Sequence, residues 1–214
     1  VSGTRSGRSC QPAGSVFRIL WRTVRYRVII GIGRQAAEVV GEDALGSLEV
    51  TVPTRGVVYV HSSPLAVCPH VEWAIARVVG VPVSLDWSHQ PLEPSARRAE
   101  CSWGGAPGTG AKIAAALRQW PMIRFEVTED PSHGVDGERF MHVPGRGLFR
   151  ATTSANGDIV VGEARLRALL ASASGPESLA HALHNELGTA WDTELEPYRH
   201  AGEGAPVSYL PMVG

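Results

Sequence analysis

The stretch from Arg55 to Gly80, RGVVYVHSSPLAVCPHVEWAIARVVG, constrains the fold more than any other part of the chain, because it reads as a strand, a turn and a helix. Val57, Val58, Tyr59 and Val60 form an apolar run too short and too β-branched for a helix. Pro69 suits a first helical turn, and Val71, Ala74, Ile75, Val78 and Val79 follow at helical spacing until Gly80 and Pro82 stop the segment. The apolar stripe of that helix has to be buried, and the adjoining strand is the natural surface to bury it on.

Downstream, Val81, Val83, Leu85 and Trp87 alternate with polar residues and predict a half-buried strand over VPVSLDWS. After a turn at Pro91–Pro94, Ala99, Cys101 and Trp103 alternate with Arg98, Glu100 and Ser102, a strand expected to pair antiparallel with the one before. A glycine-rich loop then leads into a helix with Thr109 as cap and Ile113, Ala116, Leu117 and Trp120 on one stripe, ended by Pro121. Ile123, Phe125 and Val127 supply a fourth strand. The order βαββαβ is that of the ferredoxin-like split-βαβ arrangement, an α+β fold with two helices on one face of an antiparallel sheet. Ser84, Asp86, Arg98, Glu100, Arg124 and Glu126 fall on the opposite face, which is expected to be solvated or to serve a partner. Residues 130–147 read as a long polar loop, Asn156-Gly157 as a type I′ hairpin between Leu148–Ser154 and Asp158–Val161, and the rest as C-terminal helices.

With 43% hydrophobic residues in 214, the chain can bury a core of its own. Cys10, Cys68 and Cys101 form no even disulfide framework and no CxxC pair, which favours a reducing, intracellular setting. Residues 1–34 carry seven arginines and no acid, whereas residues 50–214 carry 13 basic and 17 acidic side chains, so phosphate-backbone binding is not expected of the body. No apolar run approaches the ~20 residues of a membrane span. Residues 1–49 mix arginine and apolar residues without period; they are read as a disordered extension or sequence upstream of a native start near Val50, with a nucleic-acid or membrane-surface arm as the rival reading. The expected domain is 50–214.

Several constellations could carry chemistry. Cys68 before Pro69 is expected at the helix N-cap, where the macrodipole favours a thiolate, and His61 and His70 lie near in sequence; the alternatives are a Cys/His nucleophilic site and a plain half-buried cysteine. The same three match no usual structural-zinc spacing, and no metal or cofactor is expected. Gly105–Lys112 fails as a P-loop because Ala111 separates Gly110 from Lys112. It leaves Gly108, Thr109, Gly110 and Lys112 as a glycine-rich helix start able to hold an anion or ligand. His133, Asp136, Glu138, Arg139 and His142 cluster in the polar loop and are read as a solvated surface with acid–base or cation-binding capacity as the alternative. His181 and His184 lack the HExxH context and read as exposed, and Trp87, Trp103 and Phe125 read as core.

The phrases TRGVVYVHSSPLAVCPHVEWAIARVVGVPVSLDW, GTGAKIAAALRQWPMIRFEVTE, GVDGERF, GLFRATTSANGDIVV and LGTAWDTELEPYRHAGEGAPV resemble the actinobacterial family of domain of unknown function 3145, from about Pro53 to Gly214. The resemblance implies a cytoplasmic protein, brings no catalytic residue or cofactor, and suggests an accessory role beside fatty-acid biosynthesis. An acidic carrier protein would need clustered arginine such as Arg97 and Arg98 to dock on this mildly acidic body. A complete core pattern without a complete catalytic set makes a non-enzymatic binding or regulatory domain the first reading. It would act on a protein partner or small ligand, with an enzyme built around Cys68 as the alternative.

Overall fold

The computed structural model describes residues 53–202 and 207–209. The N-terminal extension, with its expected disorder or displaced start, lies outside them. The opening unit forms as read and extends further: β1 spans Thr54–Pro64, a single 3-10 turn follows at Leu65–Val67, and α1 runs from Cys68 to Val79. Gly80 ends α1 in the left-handed region (φ 78°), a conformation that glycine adopts without strain.

The chain continues through β2 (Ser88–His89), β3 (Ala96–Gly105), α2 (Thr109–Leu117) and β4 (Arg124–Glu129). Then come β5 (Gly137–Val143), β6 (Gly147–Thr153), β7 (Ile159–Val160), α3 (Glu163–Ser172), α4 (Pro176–Glu186), α5 (Thr189–His200) and β8 (Val207–Tyr209). The strands make one sheet in the order β2-β3-β1-β4-β5-β6-β7, antiparallel throughout, with β8 added parallel to β3. The protein is therefore an α+β structure of antiparallel sheet and helices. On one face the side chains of Val58, Val60, Cys101, Phe125, Val127 and Phe140 pack with Val71, Ile75, Ile113 and Leu117 of α1 and α2 as the main core. Trp103 and Phe125 are buried there and Trp87 packs against the same cluster, as their alternation predicted.

Five readings are corrected. The strand expected over VPVSLDWS shrinks to Ser88–His89. Pro82 cannot donate to a ladder, and the segment is anchored instead by Glu72 of α1, whose Oε1 accepts from the Leu85 amide at 2.8 Å and from Trp87 Nε1 at 3.0 Å. Its alternation reflects packing on α1, with Leu85 inside and Val83 and Trp87 against the core. The polar loop of 130–147 contains β5, paired to β4 and β6; Phe140 to Val143 are all buried because both sheet faces are covered, which erases the period-two signal. The hairpin forms, but Ser154–Gly157 closes as a turn in which only Gly157 has positive φ (84°), so it is not type I′. Thr109 is not a side-chain cap: Gly108 (φ 85°) holds the N-cap position and the Thr109 hydroxyl donates to Ala106 O at 2.6 Å.

The face expected to meet solvent is the fifth correction. α5 lies across it against β5 and β1, burying Leu195 with Met141 and Val143 and packing Trp191 on Phe149 at a ring separation of 5.2 Å. Trp191 Nε1 also donates to Gly147 O at 2.9 Å, tying the start of α5 to the β5–β6 turn. Helices form where the leucine spacing predicted them, but α3 and α4 pack lightly: Leu169 alone is buried in α3, while Leu166 and Leu170 are exposed.

Candidate functional site

The polar centre of the molecule lies between the sheet and α5. A register irregularity in β1 after Val60 turns the strand end and brings His61 over the sheet, where its ring stacks parallel to Tyr59 at 6.1 Å. Glu126, in mid-β4, carries a buried carboxylate that accepts four hydrogen bonds. Oε1 takes His61 Nε2 at 2.7 Å and Arg199 Nε at 2.6 Å, and Oε2 takes Arg139 Nε at 3.1 Å and Nη2 at 2.8 Å. Asp192, one face of α5 below Arg199, bridges both guanidinium groups through Oδ1 at 3.1 Å and 2.8 Å, and Glu196 takes Arg199 Nη1 at 2.9 Å.

Burial by itself would raise the Glu126 pKa, but the His61 and Arg199 hydrogen bonds and the nearby Arg139 charge outweigh it and hold the carboxyl well below the usual range. Burial, reinforced by Glu100 and Glu126, pushes the Tyr59 hydroxyl up to about 12. A carboxylate with both oxygens doubly occupied and a depressed pKa is a poor base and has no lone pair left for a substrate. What it does is clamp a helix to a sheet. On the outer side of Arg139 and Asp192, an open groove of about 510 Å³ runs between the β6–β7 hairpin and α5, with Asp158, Ile159, Thr189 and Thr193 along it.

The residues singled out in the sequence are distributed differently. Cys68 opens α1 as its first residue rather than its cap, is buried, and approaches Ser63 Oγ at 3.9 Å and Pro64 O at 3.5 Å. Burial raises its pKa, against weaker lowering by Ser63, which opposes the thiolate that nucleophilic chemistry requires. His61 belongs to Glu126, and exposed His70 stacks on Trp120 at 6.2 Å, so neither histidine is hydrogen-bonded to the thiol. The amides of Gly108 and Gly110, expected to face a ligand, donate instead to the buried carboxylate of Glu129 at 2.6 Å and 2.7 Å. The helix start is an anion site as predicted by its chemistry, and the protein's own side chain fills it. Gly110 must be glycine for this: a Cβ there would lie 2.8 Å from Glu129 Oε2. Lys112 is exposed.

Of the polar-loop cluster, His133 and Asp136 are exposed, Arg139 joins Glu126, and buried His142 is hydrogen-bonded through Nδ1 to Ile123 O at 2.9 Å. Glu138 pairs with Arg150 across the β5–β6 ladder. Among the described residues no group of three or more His, Cys, Asp or Glu is arranged to hold a metal ion, and no helix is long and apolar enough to cross a membrane. The sequence reading missed Arg199 and Asp192. Their seven-residue spacing places them on one helix face, but the partner face was assigned to solvent, so nothing called for a match.

Fold and site together define an α+β protein whose last helix is fastened to an antiparallel sheet by a buried cluster of ions. The chain belongs to the family described as Protein of unknown function (DUF3145), whose model matches residues 57–212. Comparisons with curated proteins and with solved structures gave no match.

Proposed function

We propose that this chain is a non-enzymatic binding domain, an accessory or regulatory protein that works by contact with a protein partner or a small ligand. The observation that carries the reading is the saturation of Glu126: this buried acid on the α5 side of the sheet has four donors on its two oxygens and nothing left for catalysis. The strand order β2-β3-β1-β4 of the opening portion supports a ferredoxin-like reading of it, a scaffold whose second face α5 covers. Fatty-acid biosynthesis in the cytoplasm is the setting that the family resemblance suggests. Docking of an acidic carrier protein on Arg97 and Arg98 is disfavoured, because Arg98 is buried and Arg97 Nη1 is engaged by His89 Nδ1 at 3.1 Å.

The test is purification of the full chain from its own host, followed by reconstitution with any stoichiometric companion from pure components. A complex that re-forms with a defined Kd, and that Thr193→Arg in the groove weakens at least tenfold without lowering Tm, supports the reading. Rapid alkylation of Cys68 by iodoacetamide at neutral pH in the folded chain, with no companion found, would transfer the proposal to an enzyme using that thiol.

A further inference from the structure

Arg98 sits on the α5 side of the sheet at only 8% exposure. Among the described residues no carboxylate forms an ion pair with it, and its Nε is buried without a hydrogen-bond partner. A guanidinium does not shed its charge in proteins, and an uncompensated buried charge is among the most destabilising features a fold can carry. Glu100, two residues along the same strand and on the same face, attracts it from outside ion-pair contact. Beside it, Ser88 is the register partner of Arg98 across β2 and β3, so the two side chains leave the sheet together. The Ser88 hydroxyl is also buried and unpartnered. Gly202, just past the end of α5, lies against the guanidinium: a side chain at that position would overlap it.

From this we infer that Arg98 and Ser88 form a binding recess for a single carboxylate group, that of a small organic acid. The guanidinium offers paired donors matched to a carboxylate, and the hydroxyl adds a third. The Arg98 guanidinium carries one charge and Glu100 stands close by, so the balance suits a monoanion and opposes a phosphate dianion. The site is separate from the partner-binding reading above and does not depend on it.

The probe is sodium acetate, titrated into the full chain at constant ionic strength against sodium chloride, with Tm as the readout. A saturable rise in Tm is expected for the natural chain, reduced for Ser88→Ala and absent for Arg98→Met. Arg98→Met without acetate should melt at or above the natural chain, since an apolar side chain replaces an unpaired charge. Three results would overturn the inference. The first is a lowered Tm for Arg98→Met, showing that the guanidinium already has a structural partner. The second is an acetate effect seen only in Glu203→Gln, showing that the chain's own acid after Gly202 occupies the recess. The third is saturable stabilisation by inorganic phosphate in place of acetate, or by neither.

Discussion

Replacing Glu126 by Ala removes the acceptor that two guanidinium groups and the His61 ring share. Breaking a buried ion pair by deleting one partner costs about 3–5 kcal/mol, chiefly because the remaining charge is stranded. Here Arg139 and Arg199 keep 22% and 24% side-chain exposure and both retain Asp192, so part of their charge stays compensated. The His61 ring, at 5% exposure, loses the acceptor of its Nε2 hydrogen bond. The expected loss is therefore in the lower part of that range, about 3–4 kcal/mol. For a domain of this size, where 1 kcal/mol moves Tm by about 2–4 °C, the melting point should fall by about 6–16 °C. Glu126→Gln keeps the shape but offers an amide NH2 to groups that are themselves donors, and should cost nearly as much. The assay is urea unfolding of each full-length variant at neutral pH, repeated on the acid side. The folded carboxyl is held below its ordinary value of 4.5, so its stabilisation is complete above that pH and is lost as pH falls through the folded pKa. The difference between the natural chain and Glu126→Gln should accordingly narrow below about pH 4.5. A loss under about 1 kcal/mol for both variants, or a gap that widens in acid, would refute the clamp.

Glu129→Ala should cost about 2–3 kcal/mol in urea unfolding, because it strips two charge-assisted bonds from the buried start of α2; a loss below 1 kcal/mol would show that water replaces the carboxylate. Glu72→Ala should speed amide exchange at Leu85 and loosen residues 81–89 while leaving β1 and β3 protected, and unchanged exchange at Leu85 would deny Glu72 its anchoring role. Cys68 should react with iodoacetamide far more slowly in the folded chain than after unfolding in urea, since burial both shields the thiol and raises its pKa. Equal rates in the two states would contradict its burial.

Periodicity read best where one face met the core and the other did not. Val58, Val60, Val71, Ile75, Ile113, Leu117, Phe125 and Val127 were all legible as core for that reason. It failed at β5, where Phe140 to Val143 are buried on both sides of the sheet and look, in sequence, like a polar loop with an apolar accident. It failed in the other direction at Val81–Trp87, whose alternation comes from packing on a helix and whose amide is held by a side chain. The candidate site was harder still. Glycines at 108 and 110 announced an anion, but that the anion is Glu129, at the far end of β4, depends on how β4 runs beside α2.

By itself, the sequence determined the α+β class, the strand–turn–helix opening, the spacing of the C-terminal helices and the poor credentials of the P-loop, because each of these follows from local spacing. The tertiary structure alone decided which sheet face α5 covers, and with it the fate of Glu126, Arg139, Arg199 and Arg98. Charges look solvated in a sequence because an isolated charge prefers water. They can be buried only where several elements distant in the chain bring their counter-charges to the same point, and local spacing holds no record of that meeting.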